Sequence, residues 1–378
     1  MQLPEGHGAV TRRLRPVMNM HILAITETPD RPTVETFIGL HKKNIQITVI
    51  CKKGWKYESL LKEKGIKTQE LIFNKKIELS IIKKLRNIII NEKVDIVHTF
   101  TSNGLSNTIF SIYRLEIKLI AYRGIVGNVS FFDPVSWIRF LNPRIDRIIC
   151  VCDAIKDHFL SMRPRFLAMP KDRPVTVYKG HNIEWYQEEP ASLEEFGVPN
   201  NAFVVGCIAN SRPRKGLEYL IDALDLIPLE IPVYLLLVGR MQGKNIDKAI
   251  ARSHKQEQII APGFCDNAPL ISAACDVVCL PSIKREGLPR SIIEAMAYGT
   301  PPIVTDSGGS PELVIHENSG LVIPVKDAKA IADAICRLYY DDKLRNDLGD
   351  NAKKRIINDF TNEVTVEKTL IIYEKLLC

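Results

Sequence analysis

No apolar run in this 378-residue chain approaches the roughly 20 residues needed to cross a bilayer. The opening MQLPEGHGAVTRRLRPV has arginines but no apolar stretch behind them, so it lacks the build of a secretory signal. It reads as a disordered extension over residues 1–19, with the folded part beginning near Met20. CxxC pairs and His-Cys clusters are missing, which removes the usual signals of a zinc centre. The nine cysteines are odd in number, and those in RIICVCDAI and CDVVCLPS sit within apolar runs, where cysteine acts as a small buried hydrophobe. Such usage fits a reducing cytoplasm. No internal repeat or low-complexity tract interrupts the chain.

What is present is the composition of an ordinary globular protein, 46% hydrophobic and 25% charged, long enough for two α/β domains with separate cores. The net charge of +7 is unevenly spread: residues 1–185 carry 30 basic against 17 acidic side chains, the remainder 21 against 27. A basic half suits a phosphate-rich partner such as an anionic membrane surface or a lipid-linked acceptor; a solvated lysine-rich surface is the competing reading. Short apolar runs alternate with helical periodicity, from MHILAITET through ITVICK, VDIVHTF, LIAYRG and RIICVC. The alternation restarts at AFVVGCIAN and continues through VYLLLVGR, QIIAPGF, DVVCLPS and PPIVTDS. This predicts α/β folding into two doubly wound parallel sheets, whose strand carboxyl ends form the ligand site. The expected domains are residues 20–185 and 186–360, with a final helix over 361–378 crossing back to the first.

The most informative stretch is REGLPRSIIEAMAYGTPPIVTDSGG, Arg285 to Gly309, with Glu286 and Glu294 eight positions apart around a helix start. Gly287 suits a sharp turn, Leu288 follows it, and Pro289 fits the first helical position. The amides of Arg290, Ser291 and Ile292 then point outward from a helix end that attracts phosphate. Glu294, on the second turn, leans toward that end and can accept hydrogen bonds from a ribose diol. Upstream, ANSRPRKGLEYL sets Arg212, Arg214 and Lys215 before a helix opening at Gly216, a cationic loop able to neutralise a diphosphate leaving group.

These motifs resemble the retaining GT-B glycosyltransferases of family four, whose signature is a glutamate, seven residues and a second glutamate. The resemblance runs from about Met20 to the C-terminus and is dense from Ile208 to Pro324. It implies a metal-independent transferase that moves a sugar from a nucleotide diphosphate to an acceptor hydroxyl with retention, in lipopolysaccharide or cell-surface polysaccharide synthesis. Glu286 would position and stabilise the donor sugar, and Lys215 with Arg214 would hold the leaving diphosphate. Arg212, Gly239 at the end of VYLLLVG, and Gly263 and Phe264 at the nucleobase position would complete the donor site. No Asp-x-Asp, the metal–diphosphate motif of the other large glycosyltransferase fold, occurs, so no metal and no cofactor is expected.

In the first half, DIVHTF puts His98 at a strand end as a catalytic candidate, but Phe100 replaces the second histidine many relatives carry. Arg123 and Gly124, in AYRG, are candidates for the acceptor side. TETPDRPTVET stands where the family has a glycine-rich loop, so acceptor identity does not carry over. The expected partners are a nucleotide sugar with uracil, guanine or adenine as base, a glycan or lipid-linked acceptor, and an anionic membrane face met from the cytoplasm. No nucleic acid is expected. The competing functions are a GT-B sugar-nucleotide epimerase or phosphorylase, and a non-catalytic nucleotide-sugar-binding protein.

Overall fold

A computed structural model describes residues 20–162 and 168–378; the extension expected over residues 1–19 lies outside the described residues. The apolar runs become strands. In the first sheet these are β1 (His21–Ile25), β2 (Gln46–Ile50), β3 (Lys67–Gln69), β4 (Ile96–Thr99), β5 (Lys118–Arg123), β6 (Arg147–Cys150) and β7 (Pro174–Thr176). They lie in the order β3-β2-β1-β4-β5-β6-β7. The second sheet comprises β8 (Phe203–Ile208), β9 (Val233–Val238), β10 (Ile259–Gly263), β11 (Val277–Leu280), β12 (Pro302–Thr305) and β13 (Leu321–Ile323). Its order is β10-β9-β8-β11-β12-β13. Registers such as Ile22↔Ile47, Ala24↔His98 and Val205↔Leu235 are parallel, and both orders reverse beside the first strand, as in doubly wound nucleotide-binding sheets. The α/β alternation predicted two such sheets.

The compact units do not follow chain order. Among the described residues, those up to Ala121 with Pro143–Asp146 and Val366–Cys378 form one unit, and Tyr122–Asn142 with those of Arg147–Thr365 form the other.

In the first unit, α1 (Arg31–Lys42) starts where the Asp30 carboxylate accepts from Thr33 N at 3.3 Å and from Thr33 Oγ1 at 2.6 Å. α3 (Leu79–Asn91) turns Ile81, Leu85 and Ile89 inward and leaves Leu79 and Ile90 exposed. Most of the apolar periodicity of IIKKLRNIII is therefore spent on packing. The end of α14 (Asn362–Leu377) belongs to this unit too, with Val366 against Gly39 and Tyr373 fully buried.

In the second unit the six-stranded sheet shows why its strands read as continuous apolar runs: both faces are covered. Val205, Cys207, Leu235, Leu237, Val277, Cys279 and Ile303 pack against α7 (Leu217–Leu224) and α12 (Ala328–Tyr340). The alternate residues Val204, Leu236, Val238, Val278, Leu280 and Val304 pack against α10 (Arg290–Tyr298) and α13 (Asp342–Asp359). This leaves the loops after the strands free to carry polar groups at one edge of the sheet.

Candidate functional site

The loops after β8, β11 and β12 meet around Glu286. A short turn over Pro213–Lys215 precedes Gly216 and brings Lys215 Nζ to 2.7 Å from Glu286 Oε2. Ser282 Oγ donates to the same oxygen at 2.6 Å, and Thr305 Oγ1 in turn donates to the Ser282 carbonyl. Oε1 of Glu286 has no hydrogen-bond partner among the described residues. Both members of the Lys215–Glu286 pair are mostly buried, at 15% and 13% side-chain exposure, which strengthens their attraction over that of a surface pair.

The glutamate loop is held by close backbone approach. Gly308 has φ of 59°, and a Cβ there would lie 2.0 Å from the Glu286 carbonyl oxygen. Gly309 N donates to that same oxygen at 3.3 Å. A Cβ on Gly287 would lie 2.2 Å from the Gly124 carbonyl oxygen, so the motif turn rests directly on the loop after β5. Three residues beyond the glycine pair, the Glu312 carboxylate accepts from Asp153 N at 2.6 Å and Ala154 N at 2.7 Å, capping α6 (Asp153–Ser161). Tyr178 Oη also donates to Glu312, at 3.1 Å, and burial with this carboxylate beside it pushes the phenol well above its usual range.

At the start of α10 the structure corrects two expectations. Pro289 is the cap residue rather than the first helical residue, which is Arg290. The Ile292 amide is not free, because it donates to the Pro289 carbonyl at 3.1 Å, and Ile293 N shares that acceptor at 3.2 Å. Arg290 and Ser291 remain as the amides at the helix opening, and Leu288 tucks against the core beneath. Glu294, 13% exposed, is paired to Arg290 with Nε at 3.2 Å from Oε1. An incoming hydroxyl pair would exchange with that exposed arginine.

Among the other cations, Arg212 is exposed and Arg214 half-buried. The Arg214 carbonyl accepts from Ile283 N at 2.8 Å, tying the cationic loop to the strand end before Glu286, while its Nε is buried without a partner. Gly239, with φ of 133°, packs against the Ala209 carbonyl and donates to the Gly263 carbonyl at 2.7 Å. Gly239 and Gly263 thus align the ends of β9 and β10. Phe264 is 65% exposed, with the Arg240 guanidinium 6.0 Å from its ring centroid.

His98 does not face open space: it is 3% exposed, its Nδ1 lies 2.8 Å from Tyr373 Oη, and its ring is 4.2 Å from that of Phe100. Burial drives its pKa down to about 3, so its ring is neutral at ordinary pH. Arg123, expected on the acceptor side, is 9% exposed and turned onto its own loop. Its guanidinium donates from Nε to the Ile125 carbonyl at 3.0 Å and from Nη2 to the Gly127 carbonyl, and stacks 4.7 Å from the Phe140 centroid. Gly124 alone of that pair adjoins the motif, through its carbonyl. Sequence reasoning missed Ser282, Glu312 and Arg240. Ser282 sits four residues before Glu286 and Arg240 directly follows Gly239, signals available in the sequence; Glu312 had none without the fold.

Residues 188–355 match the family described as Glycosyl transferases group 1. N-acetyl-alpha-D-glucosaminyl L-malate synthase of Bacillus anthracis is 25% identical over 309 residues, covering 79% of this chain and 80% of its own length. The UDP-Gal:alpha-D-GlcNAc-diphosphoundecaprenol alpha-1,3-galactosyltransferase of Escherichia coli is 24% identical over 396 residues, covering 94% of this chain and 96% of its own. Among solved structures, Anabaena HepE in complex with UDP superposes with a TM-score of 0.75 at 20% identity, covering 94% of this chain and 100% of that one. No helix among the described residues is long and apolar enough to cross a membrane.

Proposed function

We propose that this chain is a group 1 glycosyltransferase of GT-B fold and carries out a retaining, metal-independent transfer centred on Glu286. The enzyme moves a sugar from a nucleotide-diphosphate donor to an acceptor hydroxyl in cell-surface polysaccharide or lipopolysaccharide synthesis. The observation that carries the site assignment is the convergence of Lys215 and Ser282 on one oxygen of Glu286, which leaves the other free.

In this reading the diphosphate lies between the amides at the head of α10 and the cations Lys215, Arg214 and Arg212. The ribose diol takes the place of Arg290 on Glu294, and the base lies by Gly263 and Phe264. As the bond from the anomeric carbon to the phosphate oxygen breaks, the bond to the acceptor oxygen forms on the same face, and the acceptor proton passes to the departing phosphate oxygen. Glu286 Oε1 stabilises the positive charge that develops on the sugar, while Lys215 takes up the growing charge of the leaving group. Residues 20–185 serve as the acceptor-side domain and 186–360 as the donor domain. UDP bound to HepE, and UDP-Gal in the name of the E. coli relative, support a uridine donor. The diphosphoundecaprenol acceptor in that same name supports an acceptor presented at an anionic membrane face on the cytoplasmic side.

A thermal-shift panel of UDP-, GDP- and ADP-sugars tests the donor assignment, because ligands that bind the folded state raise its melting temperature. The uridine series should stabilise the protein, and product analysis with and without acceptor should give transfer rather than epimerised nucleotide sugar or sugar phosphate. A panel without any stabilising nucleotide would contradict the reading.

A further inference from the structure

Arg285, the residue before Glu286, holds φ at 62°, a left-handed backbone that costs a non-glycine residue on the order of 1 kcal/mol or more. Its side chain is exposed, and no acidic group pairs with it among the described residues. The stem lies along Gly127: a Cβ at that glycine would stand 3.6 Å from Arg285 Nε and 3.7 Å from its Cγ. The Gly127 turn is itself fixed, since Arg123 donates to the carbonyls of Ile125 and Gly127, and Gly124 backs Gly287. The Arg285 guanidinium is thereby held at the junction between the glutamate loop and the loop after β5.

Positive charge accumulates at this junction. The Arg123 guanidinium, brought down to about 10 mainly by burial, is lowered further by the charge of Arg139. The nearby acid, Asp133, spends its carboxylate capping α5 (Pro134–Ile138), accepting from Val135 N at 3.1 Å, Ser136 N at 3.0 Å and Ser136 Oγ at 2.7 Å. Arg123, with Arg139 acting on it, thus adds like charge on the loop along which the unpaired Arg285 lies, the setting of an anion site.

We propose that the acceptor carries an anionic group, phosphate or carboxylate, beside its attacking hydroxyl, and that Arg285 receives it. This rests on Glu286 as the donor-sugar carboxylate. The attacking oxygen must come within about 3–3.5 Å of the anomeric carbon, so substituents next to it fall over the residue that adjoins Glu286. Arg presents a planar fork that matches phosphate and carboxylate oxygens two at a time. The donor diphosphate already has Lys215, Arg212 and Arg214 on the loop after β8, whereas Arg285 leans on the loop after β5.

Calorimetry tests this on the full chain saturated with whichever of UDP, GDP and ADP binds it, using farnesyl diphosphate, L-malate and octyl β-glucoside as probes. At least one anionic probe should bind, and R285Q should weaken that binding about tenfold while nucleotide affinity stays unchanged. R285G relieves the backbone strain, so it should melt no lower than the parent and still lose the anion. Binding of the diphosphate alone assigns a phosphate-bearing acceptor, and binding of malate alone a carboxylate-bearing one. The proposal is overturned if octyl glucoside binds and neither anion does, or if R285Q binds the anion as tightly as the parent. A tenfold loss of nucleotide affinity in R285Q with anion binding unchanged would move Arg285 to the donor side and equally overturn it. Should no nucleoside diphosphate bind the parent, the donor reading itself fails and takes this proposal with it.

Discussion

Lys215 and Glu286, separated by 71 positions in the chain, meet with Nζ 2.7 Å from Oε2, and both are mostly shielded from solvent. The contact joins the loop after β8 to the loop after β11, the strands on either side of the point where the sheet order reverses. It fixes one glutamate oxygen and sets a cation beside the place where a leaving phosphate is expected.

Lys215→Ala should therefore lower kcat more than it raises the donor KM, because leaving-group charge grows toward the transition state. Steady-state kinetics of the purified variant check this. A change confined to KM would mean that Lys215 binds ground and transition states alike.

Glu294→Ala should weaken donor and free nucleoside diphosphate together, by about 1–3 kcal/mol for lost hydrogen bonds to a charged group. Part of that cost is offset because Arg290 gives up its partner in the parent on binding. Titration calorimetry on a folded variant decides: unchanged nucleotide affinity rules out the ribose role.

Much of this was legible in the sequence, and the failures have physical causes. Strand positions followed from apolar runs long enough to be buried on both faces, whereas the direct contact of Lys215 with Glu286 was not foreseen, because a sequence shows which loops a sheet gathers at one edge but not which side chains in them pair. The burial of His98 was not legible because its partner, Tyr373, lies 275 positions away on the C-terminal helix, and a strand pattern says nothing about what a distant helix covers. The turn of Arg123 onto its own loop was not legible because its acceptors are main-chain carbonyls, which leave no mark in side-chain pattern. The helix start at Pro289 was off by one residue because Ile292 and Ile293 both close onto the Pro289 carbonyl.

The buried His98 predicts a pH dependence of stability. Its folded pKa, about 3, is below the ordinary histidine value of 6.5, so the folded state favours the neutral ring. The contribution is fully present above about pH 6.5 and is lost as pH falls from there toward 3. His98→Gln removes the titrating ring, and its melting temperature should fall less than that of the parent between pH 6.5 and 4. Parallel melting curves across that range would show that His98 is not the group involved.

Membrane association is expected to be reversible and electrostatic. Phe132, 82% exposed, and Trp137, 38% exposed, would supply apolar contact, and the basic excess of residues 1–185 would supply attraction of about 1 kcal/mol per lysine or arginine near an anionic leaflet. Sedimentation with anionic liposomes should carry the protein down at low salt and release it as salt rises. A protein that stays in solution with anionic and neutral vesicles alike would favour a soluble acceptor.

The central claim, retaining transfer from a nucleotide sugar without a metal, is tested most directly by the slow hydrolysis of the donor when acceptor is withheld. Proton NMR of the reaction with an α-linked UDP-sugar, run in EDTA, reads the first anomer of free sugar released before mutarotation scrambles it. The α anomer should appear first, at a rate that EDTA does not change and that Glu286→Gln strongly reduces. First release of the β anomer, or hydrolysis abolished by EDTA and restored by magnesium or manganese, would contradict the account.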